Sequence, residues 1–279
     1  MSILTYNFES QYLNSNHEVT IILPDKKRDV SPEDFYRSSK KYKVLWLLHG
    51  TFGDHSDWLR KTNIELYAVE KNLVVVMPSG LNSNYSNWNE CMMGFNMYDY
   101  LTKELMPLIY GWFPVSDKRE DNFIAGLSMG GRGTIKFAVN HPEKFAAAAV
   151  LSAVPVEFKG FCKGHENFSL DLASPRVQLT IANAGGLDAY INSEENVWAI
   201  IDKLAGTGTL PRLMFGCGEE DTMLYKYYLA FQKHCKEINL DVTWFSLPHY
   251  KHEWRFWDKA IQEALTFFGL DDTDGGNPF

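Results

Sequence analysis

Short apolar runs rich in branched residues recur along this chain and alternate with stretches whose apolar positions return every three to four residues. The first pattern suits buried strands and the second amphipathic helices, so the alternation predicts parallel strands joined by crossover helices that cover both faces of a sheet. Strands are predicted at residues 3–8, 18–23, 44–48, 73–77, 122–125, 146–151, 212–216 and 242–246. The first two, separated by a short polar segment, predict an antiparallel hairpin at one edge, and the later ones predict the buried parallel core. Two regions break the rhythm. Residues 82–95, rich in Asn, Ser and aromatics, are too long for a routine turn, and residues 153–208 carry no convincing strand. The second region holds Pro155, Pro175, Gly160, Gly164, Gly185, Gly186 and a helical stretch at 194–204. It is expected to form a cap or lid above the strand ends of a single domain spanning 1–279. The acidic, glycine-bearing tail at 271–279 is expected to fray.

Composition narrows the class. At 279 residues and 45% hydrophobic, the chain can bury a substantial core. It carries 27 basic against 35 acidic residues, and the lysines and arginines form no cluster able to track a phosphate backbone, so no nucleic-acid partner is expected. The first residues lack a basic segment followed by an apolar core, and no run approaches a membrane span. The expected location is the cytoplasm, with no membrane partner. Cys91, Cys162, Cys217 and Cys235 are too few and too widely spaced for a zinc ribbon, a redox pair or a disulfide scaffold, and are read as free thiols.

The most informative motif is Gly126-Leu127-Ser128-Met129-Gly130, which follows the apolar Phe123-Ile124-Ala125 and precedes a helix-like stretch from Gly131 to Asn140. By itself a G-x-S-x-G motif is weak, with roughly 0.1 chance matches expected in a chain of this length. Its setting between strand and helix makes it a nucleophile elbow, a tight turn that presents a serine at its tip. A serine hydroxyl needs a base within hydrogen-bond reach and an acid to orient that base. Past the strand at 212–216 comes Cys217-Gly218-Glu219-Glu220-Asp221, and past the strand at 242–246 comes a segment with His249 and His252. Serine, carboxylate, histidine is the order of an α/β-hydrolase fold, and all three fall beyond the carboxyl ends of strands. His252 is preferred to His249 because it sits just ahead of a helix with Trp254, Trp257, Ile261, Leu265 and Phe268 at helical spacing. Asp221 is preferred as the acid to Glu219, Glu220 and Asp188, although an aspartate ahead of Thr222-Met223-Leu224 also suits a helix N-cap; the two roles are compatible.

A tetrahedral intermediate needs two preorganised donors. The amide of Met129 supplies one, and the loop Leu48-His49-Gly50-Thr51-Phe52-Gly53-Asp54 the other, through Thr51 first and Phe52 second. His49 lies at the wrong place in the chain order for the base and is read as holding this loop. No Cys/His cluster or H-E-x-x-H pattern offers a metal site, and no glycine-rich loop matches a nucleotide cradle, so neither metal nor cofactor is expected.

With Leu47-Leu48-His49-Gly50, the elbow, Cys217-Gly218 leading to Asp221, and His252-Glu253-Trp254-Arg255-Phe256-Trp257 in view, the sequence resembles the esterase D-like family of α/β-hydrolases, closest to tributyrin-type short-chain carboxylesterases. The resemblance runs from about Thr20 to Phe268. It implies a mostly parallel sheet of about eight strands, Ser128 as nucleophile, His252 as base, Asp221 as acid, and oxyanion amides at Met129 and in the 49–52 loop. Similar proteins include S-formylglutathione hydrolases, acetylxylan and feruloyl esterases, and mycolyl transferases. The expected activity is therefore hydrolysis of short acyl esters. Its rivals are acetylxylan or feruloyl esterase action on plant-polysaccharide fragments, and acyl transfer. The expected partner is a small ester, an acylated sugar among the candidates, with Tyr85, Trp88 and Trp198 placed to stack on its alcohol side. Similar esterases are often homo-oligomers, but no stretch here marks an interface.

Overall fold

A computed structural model describes residues 2–89, 93–157 and 175–270. Its main sheet has eight strands, each overlapping one of the eight predicted runs, with Leu73, Ala146 and Val242 falling one residue ahead of their strands. The strands are β1 (Ser2–Ser10), β2 (Ser15–Leu23), β3 (Val44–Leu48), β4 (Val74–Pro78), β7 (Asn122–Leu127), β8 (Ala147–Leu151), β9 (Arg212–Gly218) and β10 (Thr243–Leu247), in the order β1-β2-β4-β3-β7-β8-β9-β10. β1 and β2 form the antiparallel hairpin at one edge, β2 also runs antiparallel to β4, and every later pairing is parallel. A separate two-stranded ribbon, β5 (Asn87–Trp88) and β6 (Phe95–Asn96), punctuates the long loop.

The strands are apolar at consecutive positions because both faces are covered. Val44, Trp46 and Leu48 point with Ile124, Val150 and Phe215 to the face where Phe137 of helix Met129–Asn140 and Phe231 of helix Tyr225–Glu237 pack. Leu45, Leu47, Phe123, Ala149 and Met214 point to the other, against Phe256, Ile261 and Leu265 of helix Trp254–Phe267. Alternating residues thus feed two cores, which a slip of one residue would exchange.

Among the described residues, 153–208 contribute no strand to the sheet; they supply helices Pro175–Asn183, Leu187–Ile191 and Val197–Leu204. The helix expected at 194–204 begins at Val197, where the Asn196 side chain accepts the Ala199 amide as a cap. Residues 100–105 form a π-helical turn, a local widening with no signature in the apolar pattern. Cys217 and Cys235 are buried free thiols. Burial pushes the Cys217 thiol well up and that of Cys235 to about 12, so neither is a ready thiolate. Cys91, Cys162 and the tail at 271–279 lie outside the described residues. No helix among the described residues is long and apolar enough to cross a membrane.

Candidate active site

Ser128 stands between β7 and helix Met129–Asn140 with φ +53° and ψ −116°, a backbone conformation rarely taken by a residue with a side chain. Two backbone hydrogen bonds hold it there: its amide donates to the Leu151 carbonyl at 2.8 Å, and its carbonyl accepts from the Arg132 amide at 3.0 Å. The helix start must also lie almost against β3. A Cβ at Gly130 would stand 2.4 Å from the Leu48 carbonyl oxygen and 2.5 Å from that of His49, so only glycine fits.

Asp221 follows β9, and His252 lies in the loop between β10 and the last helix. Gly218 brings these two loops together, since a Cβ there would meet the Tyr250 carbonyl oxygen at 2.4 Å. The Asp221 side chain is fully buried, with two distinct sets of partners. Oδ2 accepts from His252 Nδ1 at 2.7 Å, while Oδ1 accepts the amides of Met223 at 3.1 Å and Leu224 at 3.2 Å. The cap reading and the orienting reading of this aspartate thus describe two oxygens of one carboxylate. Because Nδ1–H donates to the carboxylate, His252 Nε2 is left as an acceptor, and it lies 3.0 Å from Ser128 Oγ. The imidazole also meets Trp257 edge to face, with ring centroids 5.0 Å apart, and the Trp257 indole donates to Ser152 Oγ at 2.9 Å. This arrangement can move a proton from the serine hydroxyl to the imidazole while the carboxylate balances the charge gained.

The other titratable candidates lie elsewhere. His249 is an exposed neighbour of Glu220, 3.2 Å from its Oε1, and Glu219 Oε1 accepts from Ser246 Oγ at 2.9 Å. Asp188 is exposed on helix Leu187–Ile191. His49 is buried; its Nε2 accepts the Gly80 amide at 2.6 Å and its Nδ1 donates to the Gly50 carbonyl at 2.6 Å. Burial holds His49 below the usual histidine range, so it stays neutral and ties down the loop.

Ser128, Met129, His252, Gly50, Thr51 and Phe52 line one cavity of about 750 Å³. Gly50 sits directly against Ser128, where a Cβ would lie 3.4 Å from Ser128 Cβ. The Phe52 amide is turned away as an oxyanion donor, because it donates to Asn82 Oδ1 at 2.9 Å.

The expected stacking platform is not formed, since none of Tyr85, Trp88 and Trp198 lines the cavity. Tyr85 is fully buried in the space left open by Gly80 and Gly133, with its hydroxyl donating to the His49 carbonyl at 3.2 Å. Trp88 donates to the Ser83 carbonyl at 2.8 Å, and Trp198 packs on His234 with centroids 4.3 Å apart. Tyr85 sits in the core, while Trp88 and Trp198 pack partly buried against it. The cavity instead carries Arg132 and Lys136, one and two turns beyond Ser128 on the helix that follows it, a spacing visible in the sequence. Lys136 Nζ is buried and pairs with both carboxylate oxygens of Glu195 at 2.9 Å, and also donates to Ser86 Oγ at 2.7 Å.

Residues 10–268 match the family described as "Putative esterase". An acetyl esterase of Caldicellulosiruptor saccharolyticus is 30% identical over 270 residues, covering 95% of this chain and 97% of that protein. Among solved structures, the Staphylococcus aureus fluorophosphonate-binding serine hydrolase FphF is 33% identical, with a TM-score of 0.79 over 97% of this chain and 99% of that one. The S-formylglutathione hydrolase FrmB from Staphylococcus aureus is also 33% identical, with a TM-score of 0.77 over 96% of this chain and 98% of its own.

Proposed function

The chain belongs to the putative esterase family, serine ester hydrolases on an α/β-hydrolase fold, and from that premise we propose that it is a carboxylesterase for short acyl esters. Ser128 Oγ attacks the ester carbonyl as its proton passes to His252 Nε2. The amides of Met129 and Thr51 hold the oxyanion. His252 then gives the proton to the departing alkoxide, which leaves as the alcohol. Water enters, His252 removes a proton from it, and its oxygen attacks the acyl-enzyme to release the acid and restore Ser128. Asp221 keeps the imidazole in the tautomer this sequence of transfers needs.

The observation carrying this reading is the continuous relay from Asp221 Oδ2 through His252 to Ser128 Oγ, at 2.7 and 3.0 Å. The likeness to an acetyl esterase supports a small acyl group, and a cavity of about 750 Å³ leaves ample room for the alcohol side. In this reading the described part of residues 153–208, which lines the cavity through Val154, Val177 and Tyr190, acts as a cap over that side. The test is Ser128→Ala with p-nitrophenyl acetate: hydrolysis should vanish while the fold survives, and more than a few per cent of residual activity rules the assignment out. A panel of longer p-nitrophenyl esters, acetylated xylooligosaccharides and methyl ferulate then ranks short-chain esterase against polysaccharide esterase. Product analysis with added sugar acceptors tests acyl transfer.

A further inference from the structure

Ser152, the first residue past β8, is fully buried and holds φ +46°, in the left-handed region that a residue with a side chain ordinarily avoids. Two hydrogen bonds fix the peptide that precedes it. Its amide donates to the Gly216 carbonyl at 2.7 Å, and the Leu151 carbonyl on the other side of that peptide accepts the Ser128 amide at 2.8 Å. Glycine would make both bonds without strain, since both belong to the backbone. What glycine could not supply is the hydroxyl, and Ser152 Oγ accepts the indole N–H of Trp257 at 2.9 Å. A strained backbone kept for one side-chain contact points to a use for that contact.

Trp257 stands in the first turn of helix Trp254–Phe267 and is 5% exposed; its ring meets the His252 imidazole at 89° with centroids 5.0 Å apart. Trp254 packs on it in turn, edge to face with centroids 5.2 Å apart. A single hydrogen bond at Nδ1 leaves an imidazole able to tilt, and a tilt turns the Nε2 lone pair off the direction of Ser128 Oγ. A fixed ring at right angles blocks that tilt. We propose that Ser152 is a positioning residue: by holding the Trp257 indole it sets the tilt of the His252 imidazole, so that Nδ1 and Nε2 meet Asp221 and Ser128 together. One residue thereby links the turn that carries Ser128, through its backbone, to the imidazole, through its side chain. The inference rests on the reading above, in which His252 is the base. Because the imidazole moves a proton in both half-reactions, the loss of Ser152 Oγ falls on the chemical steps and not on ester binding.

The experiment compares Ser152→Gly with the parent on p-nitrophenyl acetate, each well below its own thermal midpoint. Glycine accepts the positive φ and removes only the hydroxyl. The expected result is a kcat lower by about fivefold, the scale of one hydrogen bond, with KM within about twofold. The acid-side midpoint of the kcat/KM profile should fall by about half a unit, because a loosened bond to Asp221 favours the charged imidazole less. In a Trp257→Phe background, where no indole N–H reaches residue 152, the same substitution should cost less than about twofold. A kcat within about twofold of the parent, a loss confined to KM, an unmoved midpoint, or an equal loss in both backgrounds overturns the proposal. Ser128→Ala separates the two failures. If that variant keeps the parent's activity, the serine-esterase reading has failed; if it is dead while Ser152→Gly is unimpaired, only the role of Ser152 has.

Discussion

In the proposed mechanism Asp221 carries two separable duties, and a pair of substitutions should divide them. Asp221→Asn keeps an Oδ1 able to accept the Met223 and Leu224 amides, but it places an amide NH₂ against His252 Nδ1. The imidazole must then accept at Nδ1 and carry its proton on Nε2, where it can no longer take one from Ser128. A wrong tautomer of this kind costs about 10⁴-fold in kcat in serine hydrolases. Asp221→Ala suffers the same catalytic loss and also strips the acceptor from the Met223 amide at a fully buried site, while the Leu224 amide keeps only the Asp221 backbone carbonyl. With about 1 kcal/mol for the lost bond and up to as much for the weakened one, the fold gives up about 1–2 kcal/mol. For a chain of this length that lowers the thermal midpoint by about 2–8 °C. The assay pairs steady-state kinetics on p-nitrophenyl acetate with thermal unfolding followed by circular dichroism. Both variants should be nearly inactive, with the Asn variant melting close to the parent and the Ala variant clearly below it. An Asn variant that retains more than about 1% of kcat, or two variants that melt together, would refute the division of roles.

Other consequences can be checked alongside. Gly130→Ala drives a Cβ into the Leu48 and His49 carbonyls, so a loss of about 3 kcal/mol is expected together with reduced activity; a parent-like melting curve would contradict the close approach of helix to strand. Lys136→Met leaves Glu195 without its cation in a mostly buried site and should cost roughly 3 kcal/mol, much of it recovered by adding Glu195→Leu. Equal stability of the single and double variants would show that the pair is not coupled. His17, His49 and His141 are all held below the usual histidine range, chiefly by burial. Between their folded values and about 6.5 the unfolded chain binds more protons, so their contribution to stability is complete above that range and lost as pH falls through it. Glu194, pushed up by burial, opposes this, but as one group against three. The thermal midpoint should therefore drop between pH 7.5 and 5, and a rise over that interval would contradict the assignment.

The strands were legible because burial on both faces writes itself as unbroken apolar runs: β3 occupies residues 44–48 as the pattern predicts, and β4 is displaced by one residue. The ribbon β5–β6 and the π turn at 100–105 left no such mark, since each rests on a few local contacts and not on a periodic face. Ser128, Asp221 and His252 could be picked out by type and order past strand ends, and the fold brings their side chains into one chain of hydrogen bonds. The lining of the cavity could not be picked out in the same way. Tyr85 and Trp198 have the composition of a stacking surface, but Tyr85 fills the core space opposite Gly80 and Gly133, and Trp198, on helix Val197–Leu204, packs on Phe231 and His234.

The central claim is that Ser128 is the group made reactive by His252 and Asp221. The most direct measurement is covalent labelling of the intact protein with a fluorophosphonate, followed by mass spectrometry of the intact chain and its peptides. A single adduct on Ser128, formed as esterase activity disappears and lost in Ser128→Ala, is the predicted result. An active protein that resists the reagent, or an inactivating adduct on another residue, would contradict it.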